Sequence, residues 1–399
     1  MKDWEAAAEQ LAVKTVVRAE SRWFKPLATT PRHVFVPRWW TRATAGGEPV
    51  WELRDGASDT DAWLRDAYAD TTLVTRIGPH HADHAQAGQP LTRSRERRST
   101  SSSTLPSLVL MMYRAAFITD TSRLLVTCGS GYGTALACAR LREELVTSVD
   151  VDPYLVQAAR KRLAEAGHHP RVEVCDLTGA LPEGTYDRII STVAVPTVPV
   201  SWLEALAPDG RLVTTIADTG LVIVADKTPD GGAVGHVKLE AAGFMSARHG
   251  EDYDDTFPEN PPLWQTVQHA DGESITTGRY PLTYVPDTWD LRSTLELEMP
   301  GIDHRQHTAH DGTRTIYMLH ADGSWARATA TGRKDSPTVH QGGPRRLWDQ
   351  LDRIRTWLVV DGDLPIHGAK VTITPDGAAT FSRRGWSSTI IGATSMLNP

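Results

Sequence analysis

RLLVTCGSGYGTALACARLREELVTSVDVDPYLVQAARKRLAEAG, residues 123–167, holds the pattern on which the fold turns. RLLVTC is a short apolar, β-branched run that reads as a strand, and GSGYG after it as a tight glycine-rich turn. TALACARLREE then reads as a helix, VTSVDV as a second strand and PYLVQAARKRLAEAG as a second helix. Asp152 stands where a helix N-cap belongs, with Pro153 at the first helical position, where a missing N–H costs nothing. Strand, turn, helix and strand in that order are the mark of a parallel α/β sheet.

Further strands follow in RVEVC (171–175), DRIIST (187–192) and RLVTTI (211–216). SWLEAL before the last carries Ser201 and Glu204 at capping-box spacing, which predicts a helix start there. The polar residues at the strand ends point to a nucleoside-bearing ligand. Gly129, Ser130, Gly131 and Gly133 let the backbone approach it closely, with a helix N-terminus behind them. Asp150, at the end of the second strand, can bond both hydroxyls of a ribose. Asp176, at the end of the third, is placed to meet an adenine amino group. Either aspartate alone could be a helix cap or a solvated turn; three features on successive strand ends make a site. Thr134 replaces the third glycine of the dinucleotide fingerprint, so the pattern favours S-adenosylmethionine over a dinucleotide.

Working outward, the chain has 399 residues, enough for two folded units, with 40% hydrophobic and 23% charged residues. A net charge of −7 argues against a general nucleic-acid binder. Three cysteines without C-x-x-C spacing exclude a disulfide framework or zinc knuckle and make a reducing cytoplasm the expected location. No apolar run suits a membrane span or a secretory signal. Residues 1–250 read as the catalytic unit. Its early part is an N-terminal helical region with loops around 45–61 and 78–103. EDYDDTFPENPP (251–262) reads as a linker. Residues 263–399 read as a smaller α+β domain. There TIYMLHADGSWARA and KVTITPDGAATF each place a D-G turn between apolar alternations, and PRRLWDQLDRIRTWL lines Leu347, Trp348, Leu351, Ile354 and Trp357 on one helical face.

TPRHVFVP (Thr30–Pro37), AYAD (Ala67–Asp70), STLP (Ser103–Pro106) and CGSGY (Cys128–Tyr132) resemble, in this order, the motifs of protein-L-isoaspartate O-methyltransferases. The resemblance covers roughly the first 250 residues. It implies a class I, Rossmann-like S-adenosylmethionine methyltransferase core. It also implies cofactor contacts at Thr127, Cys128, Gly129, Ser130, Gly131 and Tyr132, at Asp150 and Val151, and at Asp176 and Leu177, with Ser103 and Thr104 as the catalytic pair. SVDVDPYLVQAARKRLAEAG, YDRIISTVAVPTVP with SWL, and ADKTPDGGAVG are similar to a diverged branch found beside ATP-grasp ligases in graspetide clusters. That likeness implies methylation of an ordinary aspartate in a cyclised ribosomal peptide, the ester then closing to an aspartimide. It makes the C-terminal domain the expected peptide reader.

Two departures bear on the site. Leu125 and Thr127 stand where the family usually has Glu-x-Gly, narrowing the pocket's methionine end. Thr104 replaces the family's serine, keeping a hydroxyl on a stiffer side chain. It could orient the acceptor carboxylate or cap the helix starting at Pro106. His80, His81, Asp83 and His84 have metal-like composition, yet a solvated loop is expected and no metal is needed. Arg93, Arg95, Arg97 and Arg98 read as a solvated loop or as a capture surface for an acidic peptide. Two other functions stay open: repair of isoaspartyl protein, and an inactive peptide-binding module on a methyltransferase fold.

Overall fold

The computed structural model describes residues 3–16, 18, 20–93, 99–250 and 261–391. It begins with helices α1 (Asp3–Thr15), α2 (Phe24–Thr29) and α3 (Arg32–Phe35). The stretch that follows, expected to be helices and two loops, contains an antiparallel sheet. Its strands are β1 (Arg38–Ala45), β2 (Glu48–Asp55), β3 (Leu73–Ile77), β4 (His80–His81), β5 (Leu91–Thr92) and β6 (Ser99–Ser103). The order is β4-β3-β1-β2-β5, with β6 on β3, and helix α4 (Thr60–Ala67) lies between β2 and β3 in the chain. Apolar alternation is nearly absent here, which hides the strands: β6 is STSSS, and the tip of the β1–β2 hairpin is exposed.

After helix α5 (Pro106–Ala115) the expected core appears. Its elements are β7 (Leu124–Thr127), α6 (Tyr132–Arg140), β8 (Val146–Asp150), α7 (Pro153–Glu165), β9 (Arg171–Val174), β10 (Tyr186–Val195), α8 (Val200–Ala205) and β11 (Leu206–Ile216). The order β11-β10-β7-β8-β9 is parallel throughout, and it reverses between β7 and β10, where such sheets bind ligands. Successive residues of β7 point to opposite faces, and both faces are covered. Leu124 and Val126 join one buried cluster with α1 to α7, and Leu125 joins another with Trp202. Asp152 caps α7 as expected, accepting from the Tyr154 and Leu155 N–H groups. The Ser201/Glu204 box does not form. Helix α8 starts at Val200 behind Pro199 and is only six residues long, and the buried Ser201 hydroxyl has no partner.

Strands β12 (Val222–Lys227) and β13 (Ala233–Val237) continue this sheet antiparallel. Beyond the expected linker, of which 251–260 lie outside the described residues, helix α9 (Pro261–Val267) leads to a second antiparallel sheet. It comprises β14 (Ser274–Thr277), β15 (Asp303–Thr308), β16 (Arg314–Leu319), β17 (Trp325–Ala330) and β18 (Thr338–Gly342), in the order β14-β18-β17-β16-β15, with α10 (Trp289–Glu298) between β14 and β15 in the chain. Both D-G hairpins form, and α11 (Leu347–Asp361) buries Leu347, Trp348, Leu351 and Ile354.

The chain then returns. Strands β19 (Lys370–Ile373), β20 (Ala379–Arg383) and β21 (Trp386–Ile390) pair onto β13 and extend the main sheet to ten strands. The expected separate domain over 263–399 is therefore corrected: its last three described strands belong to the catalytic sheet. One buried cluster runs without a break from Leu125 through Trp202, Leu295, Met318 and Trp348 to Phe381. Apolar contact across the joint is the physical reason. Among the described residues, no helix is long and apolar enough to cross a membrane.

Candidate active site

The turn between β7 and α6 holds two glycines with positive φ, Gly129 at +52° and Gly131 at +91°. Gly131 is the N-cap of α6, and a Cβ there would sit 3.2 Å from Ala159 Cβ and 3.3 Å from Phe35 Cδ1. A side chain would thus be both strained and crowded. At Gly129 a Cβ would meet only the Ser102 carbonyl, at 3.5 Å, so that residue faces open space. Cys128 is buried, and burial pushes its thiol well above the usual range. It is a packing residue, not a nucleophile.

Asp150 stands behind this turn. One oxygen accepts the Gly129 N–H at 2.9 Å and the other the Asp152 N–H at 3.1 Å. Burial raises its pKa to about 6 despite those two bonds, which leaves it ionised at neutral pH with lone pairs to spare for hydroxyls. Asp176 is more open. Burial alone would raise its pKa, but hydrogen bonds from Thr178 and from His249, at 2.8 Å, hold it below the usual carboxylate value. His249 carried no signal in the sequence, because 73 residues separate it from Asp176. Val151 is half-buried beside Asp150. Leu177 packs in the core and offers its carbonyl to the Trp202 indole N–H at 2.7 Å.

A narrow pocket joins the turn to the STLP segment. Thr127, Cys128, Gly129, Ser130, Tyr132 and Gly133 line one wall, Ser102 and Thr104 another, and Val109, Tyr113, Val126, Ile190 and Thr192 the remainder. The structure thus brings Thr104 to the glycine turn. Ser103 does not reach the pocket; its side chain is buried on the other face of β6, with a hydroxyl that has no partner. Alternation along a strand puts Ser102, not Ser103, beside Thr104, and counting in twos along STSSST could have found it. Thr104 does not cap α5 either. Leu105 occupies the N-cap position, and the Asp70 carboxylate accepts the Ser107 N–H at 2.9 Å from across the fold.

Arg32, from TPRHVFVP, shows why these motifs travel together. Fully buried, it donates to the carbonyls of Ala67, Ala69 and Thr71 at 2.8–3.0 Å and of Ser103 and Thr104 at 3.3 Å. One guanidinium therefore ties the AYAD loop to the backbone that presents Thr104. A second buried arginine, Arg76 of β3, pairs with Asp152, whose N–H donates to Asp150. The His80–His84 stretch also folds inward. Asp83 pairs with Arg162 and accepts from the Tyr154 hydroxyl at 2.6 Å, while burial lowers the His81 pKa to about 4. Among the described residues no group of His, Cys, Asp and Glu could hold a metal. Of the arginine-rich segment, Arg93 lies over the Trp51 ring; Arg95, Arg97 and Arg98 lie outside the described residues.

The family described as protein-L-isoaspartate(D-aspartate) O-methyltransferase matches residues 81–249. A protein-L-isoaspartate O-methyltransferase of Anaeromyxobacter dehalogenans is 35% identical over 162 residues, which is 40% of this chain and 75% of that protein. One of Thermococcus onnurineus is 29% identical over 157 residues, covering 38% and 69%. A third, from an Anaeromyxobacter species, is 38% identical over 133 residues, covering 32% and 62%. The match to this last relative thus spans less than two thirds of its length.

Proposed function

Because the chain belongs to the protein-L-isoaspartate O-methyltransferase family, the S-adenosylmethionine-dependent carboxyl O-methyltransferases, we propose that it esterifies the side chain of an ordinary L-aspartate in a cyclised ribosomal peptide. The ester then closes to an aspartimide. One observation supports a carboxyl acceptor: among the described residues, the pocket is lined by hydroxyls and by no carboxylate, imidazole or amine that could act as a base. Its titratable groups are Cys128, Tyr113 and Tyr132, and burial pushes all three up and keeps them protonated. An amine or alcohol acceptor would need a proton removed. A carboxylate does not, since it is already a nucleophile at neutral pH.

The bound cofactor supplies an electrophilic methyl group on sulfur. Asp150 and Asp176 hold its ribose and adenine in this reading, and Gly129 lets it approach the backbone. Thr104 donates to the acceptor carboxylate and aims one oxygen at the methyl carbon, while the buried walls keep water out. With the cofactor bound, methyl transfer to that oxygen would leave the electron pair of the broken carbon–sulfur bond on sulfur. The backbone nitrogen of the following residue then attacks the ester, loses its proton and expels methanol.

The cyclic acceptor is supported by what lies beyond the family match. Residues 261–391 add a sheet with a polar groove on one face, lined by Tyr317, Arg327 and His340. We assign the β14–β18 sheet of this C-terminal part to substrate recognition, with the likeness to the graspetide branch naming the substrate and an ATP-grasp ligase as the source of its cross-links. Isoaspartyl repair is the second reading, favoured by the printed names of the relatives. Mass spectrometry separates them. A cyclised precursor should gain one methyl group and then lose methanol, ending one water lighter than it began. A linear precursor that reacts equally well contradicts the proposal.

A further inference from the structure

Thr127 ends β7, Thr192 lies three residues before the end of the neighbouring β10, and the two share a hydrogen bond. The Thr127 hydroxyl oxygen accepts the Thr192 N–H at 2.8 Å and lies 2.6 Å from the Thr192 hydroxyl oxygen. Both side chains are half-buried and line the same pocket. Each hydroxyl has one proton to give. Whichever donates to the other, one O–H remains, and no other hydrogen bond uses it among the described residues. The pair therefore presents one spare donor to the pocket, whichever way the shared bond points. A ligand oxygen entering the pocket could accept from that donor.

The sheet order suggests which oxygen. Asp176 follows β9 and Asp150 ends β8, so adenine and ribose lie over those strands in the reading above. The rest of the cofactor must then run over β7 toward β10, since the order is β10-β7-β8-β9. Thr127 ends β7 and Thr192 lies near the end of β10. Thr104 and Ser102 form a separate wall, from a different sheet, and are left for the acceptor. We propose that Thr127 and Thr192 act as one unit that hydrogen-bonds the carboxylate of the cofactor's methionine moiety. This rests on the cofactor and its placement, and not on the identity of the acceptor.

The proton count dictates an unusual mutational pattern. In Thr192→Val the Thr127 O–H is released into the pocket, and in Thr127→Val the Thr192 O–H is released. Either single variant keeps a donor, and only the double variant has none. Calorimetric titration of the full chain with S-adenosylhomocysteine tests this. The double valine variant should raise the dissociation constant roughly tenfold to a hundredfold, the range for a hydrogen bond to a charged group. The two single variants should together account for much less, a non-additivity that independent contacts do not give. Decarboxylated S-adenosylhomocysteine should bind the wild type and the double variant alike, and the double serine variant should restore affinity. Wild-type affinity in the double valine variant, or an equal loss for the decarboxylated ligand, overturns the proposal. A wild-type chain that fails to bind S-adenosylhomocysteine overturns the cofactor reading itself, and is told apart by that control.

Discussion

Two antiparallel sheets are attached to the central one, and they are attached differently. The N-terminal sheet, β1 to β6, and the helices around it share an apolar cluster with the central sheet, and to this they add buried charge at the site: Arg32 holds the Thr104 backbone, Arg76 pairs with Asp152, and Asp83 pairs with Arg162. The C-terminal sheet, β14 to β18, is joined through apolar side chains, and its other face carries α9 over Tyr317, Leu319 and Trp325 with a polar groove beside it. Buried ion pairs and charged hydrogen bonds demand close geometry, because an unpaired buried charge costs several kcal/mol. Apolar contact tolerates small shifts. The first attachment therefore suits holding reacting groups in line, and the second suits presenting a partner.

The comparison breaks most visibly if the C-terminal part is removed. A chain ending at residue 250 loses β19 to β21 from the main sheet and exposes the apolar cluster that Trp348 and Phe381 complete. Loss of the cooperative melting transition is expected, measured by circular dichroism. A truncated chain that melts like the full one would show that the joint is weak. Next in size is Arg32→Met, which leaves five backbone carbonyls without their donor. A loss of about 3–5 kcal/mol in denaturant unfolding is expected, with methyl transfer falling in whatever fraction stays folded.

Asp150→Ala should weaken S-adenosylmethionine binding by about 1.5–3 kcal/mol for each charged hydrogen bond lost, read by calorimetry. The pH dependence has a definite sign. The Asp150 pKa is raised to about 6, so its carboxylate is ionised at neutral pH and gains a proton as the pH falls through that value. Cofactor affinity should be level above about 6 and decline below it, by up to about tenfold per pH unit. A flat profile from pH 5 to 8 would detach Asp150 from binding. The smallest effect sharpens the contrast. Arg327→Ala in the groove should raise the KM for the peptide by roughly tenfold or less, leaving kcat and S-adenosylhomocysteine affinity unchanged. Any change in cofactor affinity would show that the two sheets are not separate in function.

The parallel half of the molecule was legible in the sequence because its strands are buried on both faces. Apolar β-branched runs, a glycine turn and the Asp152–Pro153 cap all point to the same layout. The β1–β6 sheet was not legible, since STSSS offers no alternation to read. The return of 370–390 to the main sheet was hidden for another reason: a hairpin's own sequence sets its turn and not the edge it pairs with. Asp150 and the glycine turn could be found from position along the motif. Thr192, His249 and Arg32 act through partners 65, 73 and up to 72 residues away, and such distances leave no local pattern.

Acceptor choice decides between biosynthesis and repair, and a direct competition tests it. The cyclised precursor and a linear isoaspartyl peptide would be offered together with labelled S-adenosylmethionine, and the ratio of their kcat/KM values read from the partition of label. A cross-linked ring has already given up backbone freedom worth about 1–2 kcal/mol per residue fixed, so it presents its aspartate more cheaply than a linear chain does. The ratio should favour the cyclised peptide by roughly tenfold or more. A ratio favouring the isoaspartyl peptide would contradict the account and make this chain a repair enzyme.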